Sequence, residues 1–299
     1  MNSFLRNFIA LFRATRFVIH LGYGLAIAFF FPWIGAGLRR RILQVWSKGL
    51  LQIFNVRLDI ASGDPLYQLK RGLIVSNHIS WLDVFVLNAV IPMRFVAKSE
   101  VRSWPVIGWL CARAQTLFLE RGKARSAARL NVHLVSLLQQ GGCLAIFPEG
   151  TTTDGTSVAH FHSSLLQPAI DAAAPIHPVA IRYRDASGAH NKAAAYVDEI
   201  SFGASLWSIL NTPEMHVQLV GTAPLESLDG DRRSLTRRAH QHISAALQVL
   251  HQTSVLSHDR NKTRASVQSP AEADLHFQSL YHVLLNPPQA QETLHHPVK

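Results

Sequence analysis

One histidine and one aspartate stand five residues apart in the stretch "VSNHISWLDVF", residues 75–85. On a straight helix five residues rotate by about 500°, which would leave the two side chains roughly 140° apart. His78 and Asp83 can therefore meet only if a helix begins between them, and "SWLD" supplies such a start, with Ser80 as N-cap. A carboxylate that holds an imidazole in one tautomer leaves the other ring nitrogen free to take a proton. The spacing predicts a general base, but a simple turn histidine beside a helix-capping aspartate fits it too.

A second polar segment, "LAIFPEGTTTDG", occupies residues 144–155. Pro148 ends an apolar run, and Gly150 allows the backbone to turn tightly or to approach a ligand closely. Glu149 and the hydroxyl groups of residues 151–153 add polar atoms to this loop. Such a loop can hold a polyol or a phosphate, and a plain surface turn can have the same composition.

Both polar segments follow short apolar runs, and such runs alternate with amphipathic segments after residue 60. This alternation predicts an α/β fold, a layered sheet with flanking helices. Side chains that follow the carboxyl ends of strands are exposed in such folds, which is where a site is expected. The predicted strands are 72–76, 94–97, 116–120, 143–147, 176–183, 194–198 and 215–221. The predicted helices are 80–90, 105–114, 124–140, 163–173, 203–211 and 231–250.

The N-terminal region carries most of the net charge of +10. Residues 1–60 contain eight Arg and Lys residues and a single acid, Asp59. A basic chain favours an acidic partner, either nucleic acid or anionic lipid. Residues 17–38 contain no charged side chain and reach the roughly 20 residues that span a bilayer. A soluble nucleic-acid-binding protein has no use for such a segment, so a membrane surface is the predicted partner and nucleic acid is not.

The apolar segment is interrupted by Pro32 and several glycines, and an amphipathic basic segment with Trp46 follows it. Such a helix fits the membrane interface. We therefore predict a helical hairpin that dips into one leaflet with both ends cytoplasmic, with a true span or a buried soluble helix pair as alternatives. The predicted division is 1–58 for this hairpin, 59–251 for the α/β domain and 252–299 for a largely disordered tail.

Taken together, the two motifs and the segments around them resemble the glycerolipid acyltransferase family, typified by 1-acylglycerol-3-phosphate acyltransferases. The resemblance covers roughly residues 70–185, in the family's order. It implies an acyltransferase that moves a fatty acyl group from an acyl thioester to the free hydroxyl of a lysophospholipid, most often 1-acylglycerol-3-phosphate. The matching segments are "NHISWLD" (77–83), "FVAKSE" (95–100), "WPVIGWL" (104–110), "FLERG" (118–122), "FPEGT" (147–151) and "IHPVAI" (176–181).

The resemblance also implies a mechanism. His78 would deprotonate the acceptor hydroxyl, and Asp83 would orient the imidazole and stabilise its charged form. The hydroxyl would attack the thioester directly, without an acyl-enzyme, a metal or a bound cofactor. Acyl-CoA or acyl carrier protein would serve as co-substrate. The expected location is the cytoplasmic face of the inner membrane.

The same resemblance implies the substrate-binding residues. Glu149, Gly150 and Thr151 would shape the acceptor site. Arg121 would bind the acceptor phosphate through its planar, bidentate guanidinium, and Lys98 would face the phosphate region as a point charge. For Arg121 and Lys98, an ordinary role as surface charges is the alternative.

Two positions depart from the pattern of phosphatidate-forming members. Thr152 stands where those members carry Arg, and His162 stands where a Lys or Arg often follows the Phe. Both departures reduce the positive charge expected near the acceptor headgroup. The form seen here also resembles members that acylate other lysolipids, such as lyso-ornithine lipid, which is therefore the alternative acceptor.

Two readings from other functional classes complete the set. A metal-dependent hydrolase could use His78, Asp83 and Glu149, but the chain lacks a closely spaced ligand cluster such as H-E-x-x-H. The two cysteines form no metal-ligand set either. A non-catalytic membrane-binding protein could retain the fold, but the intact His–Asp pair and the Phe-Pro-Glu-Gly-Thr loop argue against it.

Overall fold

The computed structural model describes residues 3–120, 123–197, 199–228 and 230–263, with only the backbone described for residues 3, 124 and 253–263. Its helices are α1 (Ser3–Phe30), α2 (Ala36–Ile53), α3 (Asp83–Val90), α4 (Ile107–Arg113), α5 (Ala124–Gln139), α6 (Gln167–Asp171), α7 (Phe202–Asn211) and α8 (Arg232–Thr263). Its strands are β1 (Val56–Ile60), β2 (Gly72–Ser76), β3 (Arg94–Lys98), β4 (Leu117–Leu119), β5 (Cys143–Ile146), β6 (Ile176–Arg184) and β7 (Met215–Gly221).

The strands form one seven-stranded sheet in the order β1-β7-β6-β2-β5-β3-β4. The five strands from β6 to β4 in this order run parallel to one another, whereas β7 pairs antiparallel with β6. The carboxyl ends of β2, β3, β4, β5 and β6 therefore meet at one edge of the sheet. This edge is where a ligand site is expected in a parallel α/β sheet.

Helices cover both faces of the sheet. On one face, α2, α3 and α7 pack with α1 against residues such as Ile74, Ile181 and Leu219. On the other face, α5, α6 and α8 pack around Val75, Leu144 and the rest of a second apolar cluster. Because both faces are covered, the central strand β2 is buried along its whole length and is apolar in every position but its first and last. The predicted α/β class is confirmed.

The predicted elements differ from the structure in a few places. Strand β1 was not predicted, because "VRLDI" mixes charges into a short edge strand. The predicted strand at 194–198 is wrong where it is described: its first residue ends a 3₁₀ turn and residues 195–197 have no regular structure. Helix α8 continues to Thr263, beyond the predicted start of the tail at 252. The rest of that tail, residues 264–299, lies outside the described residues, and the domain division stays a prediction.

The two N-terminal helices form a hairpin with a closely fitted contact. The Trp46 indole donates a hydrogen bond to the His20 carbonyl, and the two rings stack with centroids 4.7 Å apart. Gly24 permits this approach, because a Cβ there would lie 2.5 Å from the Trp46 ring nitrogen. Large apolar side chains on the outer side of α1 are exposed. In the described part of the chain, this is the one helix whose length and composition would let it cross a membrane.

The hairpin contacts the α/β domain through hydrogen bonds from both of its helices and through apolar side chains of α2. The Arg13 guanidinium of α1 donates to the carbonyl oxygens of Leu210, Thr212 and Pro213, where α7 ends. The Gln44 amide of α2 donates to carbonyl groups at the end of α3. The last turn of α2 also supplies Leu50, Leu51 and Ile53 to the main apolar core, and Phe54, the residue after the helix, joins them.

Candidate active site

The residue that follows β2 continues the pairing with β6 through its side chain. The Asn77 amide nitrogen donates to the Ile181 carbonyl at 3.0 Å, and its amide oxygen accepts from the Ile181 N–H at 2.8 Å. Asn77 is fully buried. The chain is thus held against β6 for one residue beyond the strand, which fixes the backbone from which His78 projects.

His78 and Asp83 meet as the sequence predicts. His78 Nδ1 lies 2.8 Å from Asp83 Oδ2, and the same oxygen accepts from the backbone N–H groups of Ile79 and Ser80 at 2.8 and 3.0 Å. A turn precedes α3, which begins at Asp83 itself. Because an ionised carboxylate only accepts hydrogen bonds, His78 carries its proton on Nδ1 and keeps a lone pair on Nε2. The His78 side chain is 20% exposed, so a substrate can reach the imidazole from outside.

A tyrosine on β6 completes the carboxylate's shell. The Tyr183 hydroxyl donates to Asp83 Oδ1 at 2.7 Å, and both side chains are fully buried. Burial raises the pKa of Tyr183 well above its usual value, and the Asp83 charge acts in the same direction. Tyr183 therefore stays protonated and remains a donor across the working pH range. Four donors hold the Asp83 carboxylate in one orientation.

Replacing Tyr183 with Phe should destabilise the protein more than it slows the reaction. The substitution removes one donor and leaves Asp83 Oδ1 buried without that partner, which costs about 1–3 kcal/mol. Thermal unfolding in detergent should show a lower Tm, and turnover should fall less than on removal of Asp83. An unchanged Tm would mean that this hydrogen bond adds little. Tyr67→Phe is a matched control, because the Tyr67 side chain is exposed.

The second motif, which leaves β5, supports the histidine from two sides. The Phe147 ring stacks on the His78 imidazole with centroids 4.0 Å apart and planes 10° apart. Glu149 accepts from the His78 backbone N–H at 2.7 Å through Oε1 and from the Ala159 N–H at 2.8 Å through Oε2. Stacking limits the rotation of the ring, and Glu149 fixes its backbone, so both residues position His78.

Glu149 is nearly fully buried. Burial raises the pKa of its carboxyl group, while the two backbone N–H donors act in the opposite direction. Each oxygen is taken up by a backbone amide, which links the His78 turn to the loop that follows residue 155. The predicted contact of Glu149 with an acceptor stays a prediction beside this positioning role.

The other predicted site residues lie along the same edge of the sheet. Gly150 adopts a φ of 65°, the left-handed region that glycine favours, directly after Glu149. Thr151 is exposed in the turn that follows. Lys98 is exposed at the end of β3, two strands from β2, about 10 Å at the usual strand spacing. Arg121 lies outside the described residues, and its role stays a prediction.

The two positions that depart from the family pattern differ in their surroundings. The Thr152 hydroxyl donates to the Tyr196 carbonyl oxygen, and the Tyr196 N–H donates to the Ile79 carbonyl oxygen. Thr152 thus ties the second motif to the segment 195–197 that covers the first. His162 is exposed. At position 152 the hydroxyl group of Thr152 connects two segments of the fold, whereas an Arg there would add positive charge near the site.

Two histidines lie beneath the loop that carries Thr152. The His190 and His251 rings are 6.0 Å apart, and the Arg182 guanidinium donates to His251 Nδ1 at 3.2 Å. A Cβ on Gly155 in the loop would lie 3.5 Å from the His190 ring. Burial lowers the pKa of both histidines, and the Arg182 charge acts in the same direction.

These lowered pKa values predict that the protein loses stability in mild acid. Below about pH 6.5 the unfolded chain binds protons that the folded chain does not, so the free energy of unfolding falls as pH falls. The Tm should therefore drop between about pH 7 and pH 5. His190→Gln should flatten that slope, whereas His133→Gln, at an exposed position, should not. Equal slopes in wild type and His190→Gln would contradict this assignment.

Three of the residues that hold the His78–Asp83 pair in position were not predicted from the sequence. Tyr183 is the end of a predicted strand, and nothing local shows that its hydroxyl meets an aspartate 100 residues away. Asn77 reads as a turn residue, and Phe147 reads as the last apolar residue of a strand. The one usable signal was that Asn77 and Phe147 are the first residues of the motif segments 77–83 and 147–151.

The fold and the hydrogen-bonded His78–Asp83 pair together define an α/β protein with an oriented imidazole at the carboxyl edge of its parallel strands. The family model described as Acyltransferase matches residues 57–182. The chain is 36% identical over 212 residues to a lyso-ornithine lipid O-acyltransferase from Pseudomonas aeruginosa, covering 70% of this chain and 80% of that protein. It is 32% identical over 211 residues to a 1-acyl-sn-glycerol-3-phosphate acyltransferase from Neisseria gonorrhoeae, covering 70% and 82%.

The chain therefore belongs to the glycerolipid acyltransferase family, and it is an acyltransferase. A solved structure has the same fold: the 1-acyl-sn-glycerophosphate acyltransferase of Thermotoga maritima superposes with a TM-score of 0.63. The two chains are 18% identical, and the match covers 84% of this chain and 98% of the other. The family resemblance predicted from the motifs is confirmed.

Proposed function

We propose that this protein transfers a fatty acyl group from an acyl thioester to the free hydroxyl of a lysophospholipid at a membrane surface. The observation that carries the proposal is the hydrogen bond from His78 Nδ1 to a fully buried carboxylate, in a chain that belongs to this acyltransferase family. It leaves His78 Nε2 as the one ring nitrogen that can accept a proton. A general base of this kind contributes about 10²–10⁴ in rate.

The proposed reaction is a direct acyl transfer. His78 Nε2 removes the proton from the acceptor hydroxyl as its oxygen attacks the thioester carbonyl carbon. The Asp83 carboxylate stabilises the imidazolium that forms. The tetrahedral intermediate then collapses, the carbon–sulfur bond breaks, and the imidazolium returns the proton to the leaving thiolate. The products are an ester and a free thiol, from either acyl-CoA or acyl carrier protein.

The acceptor that we propose first is 1-acylglycerol-3-phosphate, which would give phosphatidic acid. The curated relative from Neisseria gonorrhoeae carries that substrate in its name. Lyso-ornithine lipid is the second candidate, because the relative from Pseudomonas aeruginosa is named for it. The hydroxyl of Thr152, bound to the Tyr196 carbonyl, favours this second candidate, since it puts no cation where a phosphate monoester would need one.

One assay tests both acceptors. The purified full-length protein is given a labelled acyl thioester, acyl-CoA and acyl carrier protein in separate reactions, with either 1-acylglycerol-3-phosphate or lyso-ornithine lipid in mixed micelles. We expect diacyl product from at least one acceptor. Folded protein that acylates neither acceptor from either donor would contradict the proposal.

The exposed apolar side of α1 would hold the protein on the membrane. Phe8, Phe12 and Ile19 lie on one side of this helix and are exposed. Glu at these three positions should move the protein from the membrane to the soluble fraction, because each charge in a bilayer core costs about 2.5–3.5 kcal/mol. Fractionation by sedimentation measures the shift.

The control carries Glu at Val132 and Leu228, which are exposed outside α1, and should stay membrane-bound. Membrane binding that survives the three substitutions in α1 would contradict this assignment. Substitution is a cleaner test than deletion of residues 1–56, because that deletion would remove Leu50, Phe54 and their neighbours from the main core.

A further inference from the structure

A short apolar ridge projects from the connection between β3 and β4. The ridge, defined here as residues 104–109, exposes 38% of Trp104, 46% of Val106 and 37% of Trp109. These three side chains belong neither to the His78–Asp83 pair nor to the two motif loops. Clustered large apolar groups on a protein surface mark a place where something apolar binds.

The backbone holds this ridge outward at a cost in strain. Val106 adopts a φ of 63° and a ψ of −55°, and the Ile107 N–H donates to the Pro105 carbonyl oxygen at 2.6 Å, which makes a γ-turn. A β-branched residue in this region is strained, because its side chain crowds the neighbouring backbone. Gly108 lets the turn press against the preceding segment, because a Cβ there would lie 2.2 Å from the Arg102 carbonyl oxygen. The strained turn presents an apolar side chain to the outside.

The location and charge of the ridge indicate what covers it. Helix α4, which contains Trp109, contacts α1, so the ridge lies beside the helix that exposes the large apolar side chains of the N-terminal hairpin. There is no acid between residues 101 and 119. The Arg113 guanidinium lies 5.1 Å from the centre of the Trp109 ring. Tryptophan with arginine is typical of the boundary between lipid headgroups and acyl chains.

We infer that the ridge is a second membrane contact, with Trp104, Val106 and Trp109 seated at the interface of an anionic bilayer beside α1. The inference rests on the proposed function in that it takes α1 as membrane-bound. The ridge follows β3 after one 3₁₀ turn, Ser99–Ser103, in the connection that leaves the carboxyl edge that also bears His78. A bilayer seated there would meet the edge of the sheet at which the acceptor hydroxyl must arrive.

A spin label reports the surroundings of the ridge in the full-length protein. Trp104→Cys and, as the control, Val132→Cys are each made with Cys111→Ser and Cys143→Ser and are then labelled. The variants are reconstituted into vesicles of phosphatidylethanolamine and phosphatidylglycerol. Collision rates are measured with O2, which concentrates in the bilayer, and with a neutral nickel chelate, which stays in water. Trp109→Cys repeats the test if Trp104→Cys does not fold.

We expect O2 collisions to exceed nickel collisions at position 104 and the opposite order at position 132, which is on the other face of the sheet. The same aqueous order at both positions would overturn the inference. Exclusion of both reagents from position 104 would also overturn it, because a protein surface would then cover the ridge. Acyl transfer in the same vesicles reports the proposed function separately. Its loss with the O2 order retained at position 104 leaves the membrane contact supported.

Discussion

Replacing His78 with Ala should lower kcat by about 10²–10⁴-fold and leave the protein folded, because it removes the proposed general base. The base is lost, while the four donors to Asp83 are reduced by one and the backbone N–H of residue 78 still binds Glu149. The stacking on Phe147 is also lost, which should lower the free energy of unfolding by at most about 1.5 kcal/mol. Single-turnover acyl transfer and thermal unfolding measure the two effects.

His133→Ala is the matched control for this experiment. His133 is exposed on α5, on the face of the sheet opposite α3. It should leave both kcat and Tm unchanged. Turnover by His78→Ala within tenfold of wild type would remove His78 from the role of general base, whatever the Tm.

Asp83→Asn should slow acyl transfer by about 10²–10³-fold with little loss of stability. The Asn oxygen can take the place of Oδ2 and accept from His78, Ile79 and Ser80, and its NH2 group can donate to the Tyr183 hydroxyl. The substitution therefore preserves the tautomer and removes only the negative charge beside the imidazolium. Two unit charges about 4 Å apart, roughly the distance between the charge centres of an imidazolium and a carboxylate in contact, attract by about 4 kcal/mol at an effective dielectric constant of 20, which is close to three decades in rate.

Asp83→Ala separates the two functions of this residue. It leaves the Ile79 and Ser80 N–H groups and the Tyr183 hydroxyl buried without an acceptor, at about 1–3 kcal/mol each, so the protein should unfold at a much lower temperature than Asp83→Asn. Equal Tm values for the two variants would show that the hydrogen bonds to Asp83 do not stabilise the fold. Wild-type turnover by Asp83→Asn would show that the charge is not needed.

The local features of this architecture can be predicted from the sequence. The run "GLIVS" predicts β2 with its observed bounds, because a strand buried on both faces needs apolar residues at nearly every position. The spacing of His78 and Asp83 demands that the chain is not one straight helix between them, and the structure has a turn at residues 81–82 before α3, which begins at Asp83 rather than after Ser80. Both features depend on neighbouring residues, which is why one sequence is enough to predict them.

The hydrogen bonds between distant segments cannot be predicted from the sequence in this way. Glu149 reaches the His78 backbone across 71 residues, and Tyr183 reaches Asp83 across 100. The mistaken strand at 194–198 has the same origin, because "AAYVD" is apolar enough for a strand. Its Tyr196 backbone instead binds Ile79 and Thr152 of the two motif segments. Partners of a buried polar group depend on which chain segments the fold brings together.

Helix α3 connects the N-terminal hairpin to the His78–Asp83 pair. Its first residue is Asp83, and the carbonyl groups at its far end accept hydrogen bonds from Gln44 of α2. Eight residues at 1.5 Å each make this helix about 12 Å long. With α1 held in the membrane as proposed, the length of α3 sets the distance between the hairpin and the His78 imidazole, and with it the level of the imidazole relative to the acyl chains. The acceptor hydroxyl of a lysolipid would then have to reach that level to be acylated, and one extra turn in α3 would move the imidazole about 5.4 Å further from the hairpin.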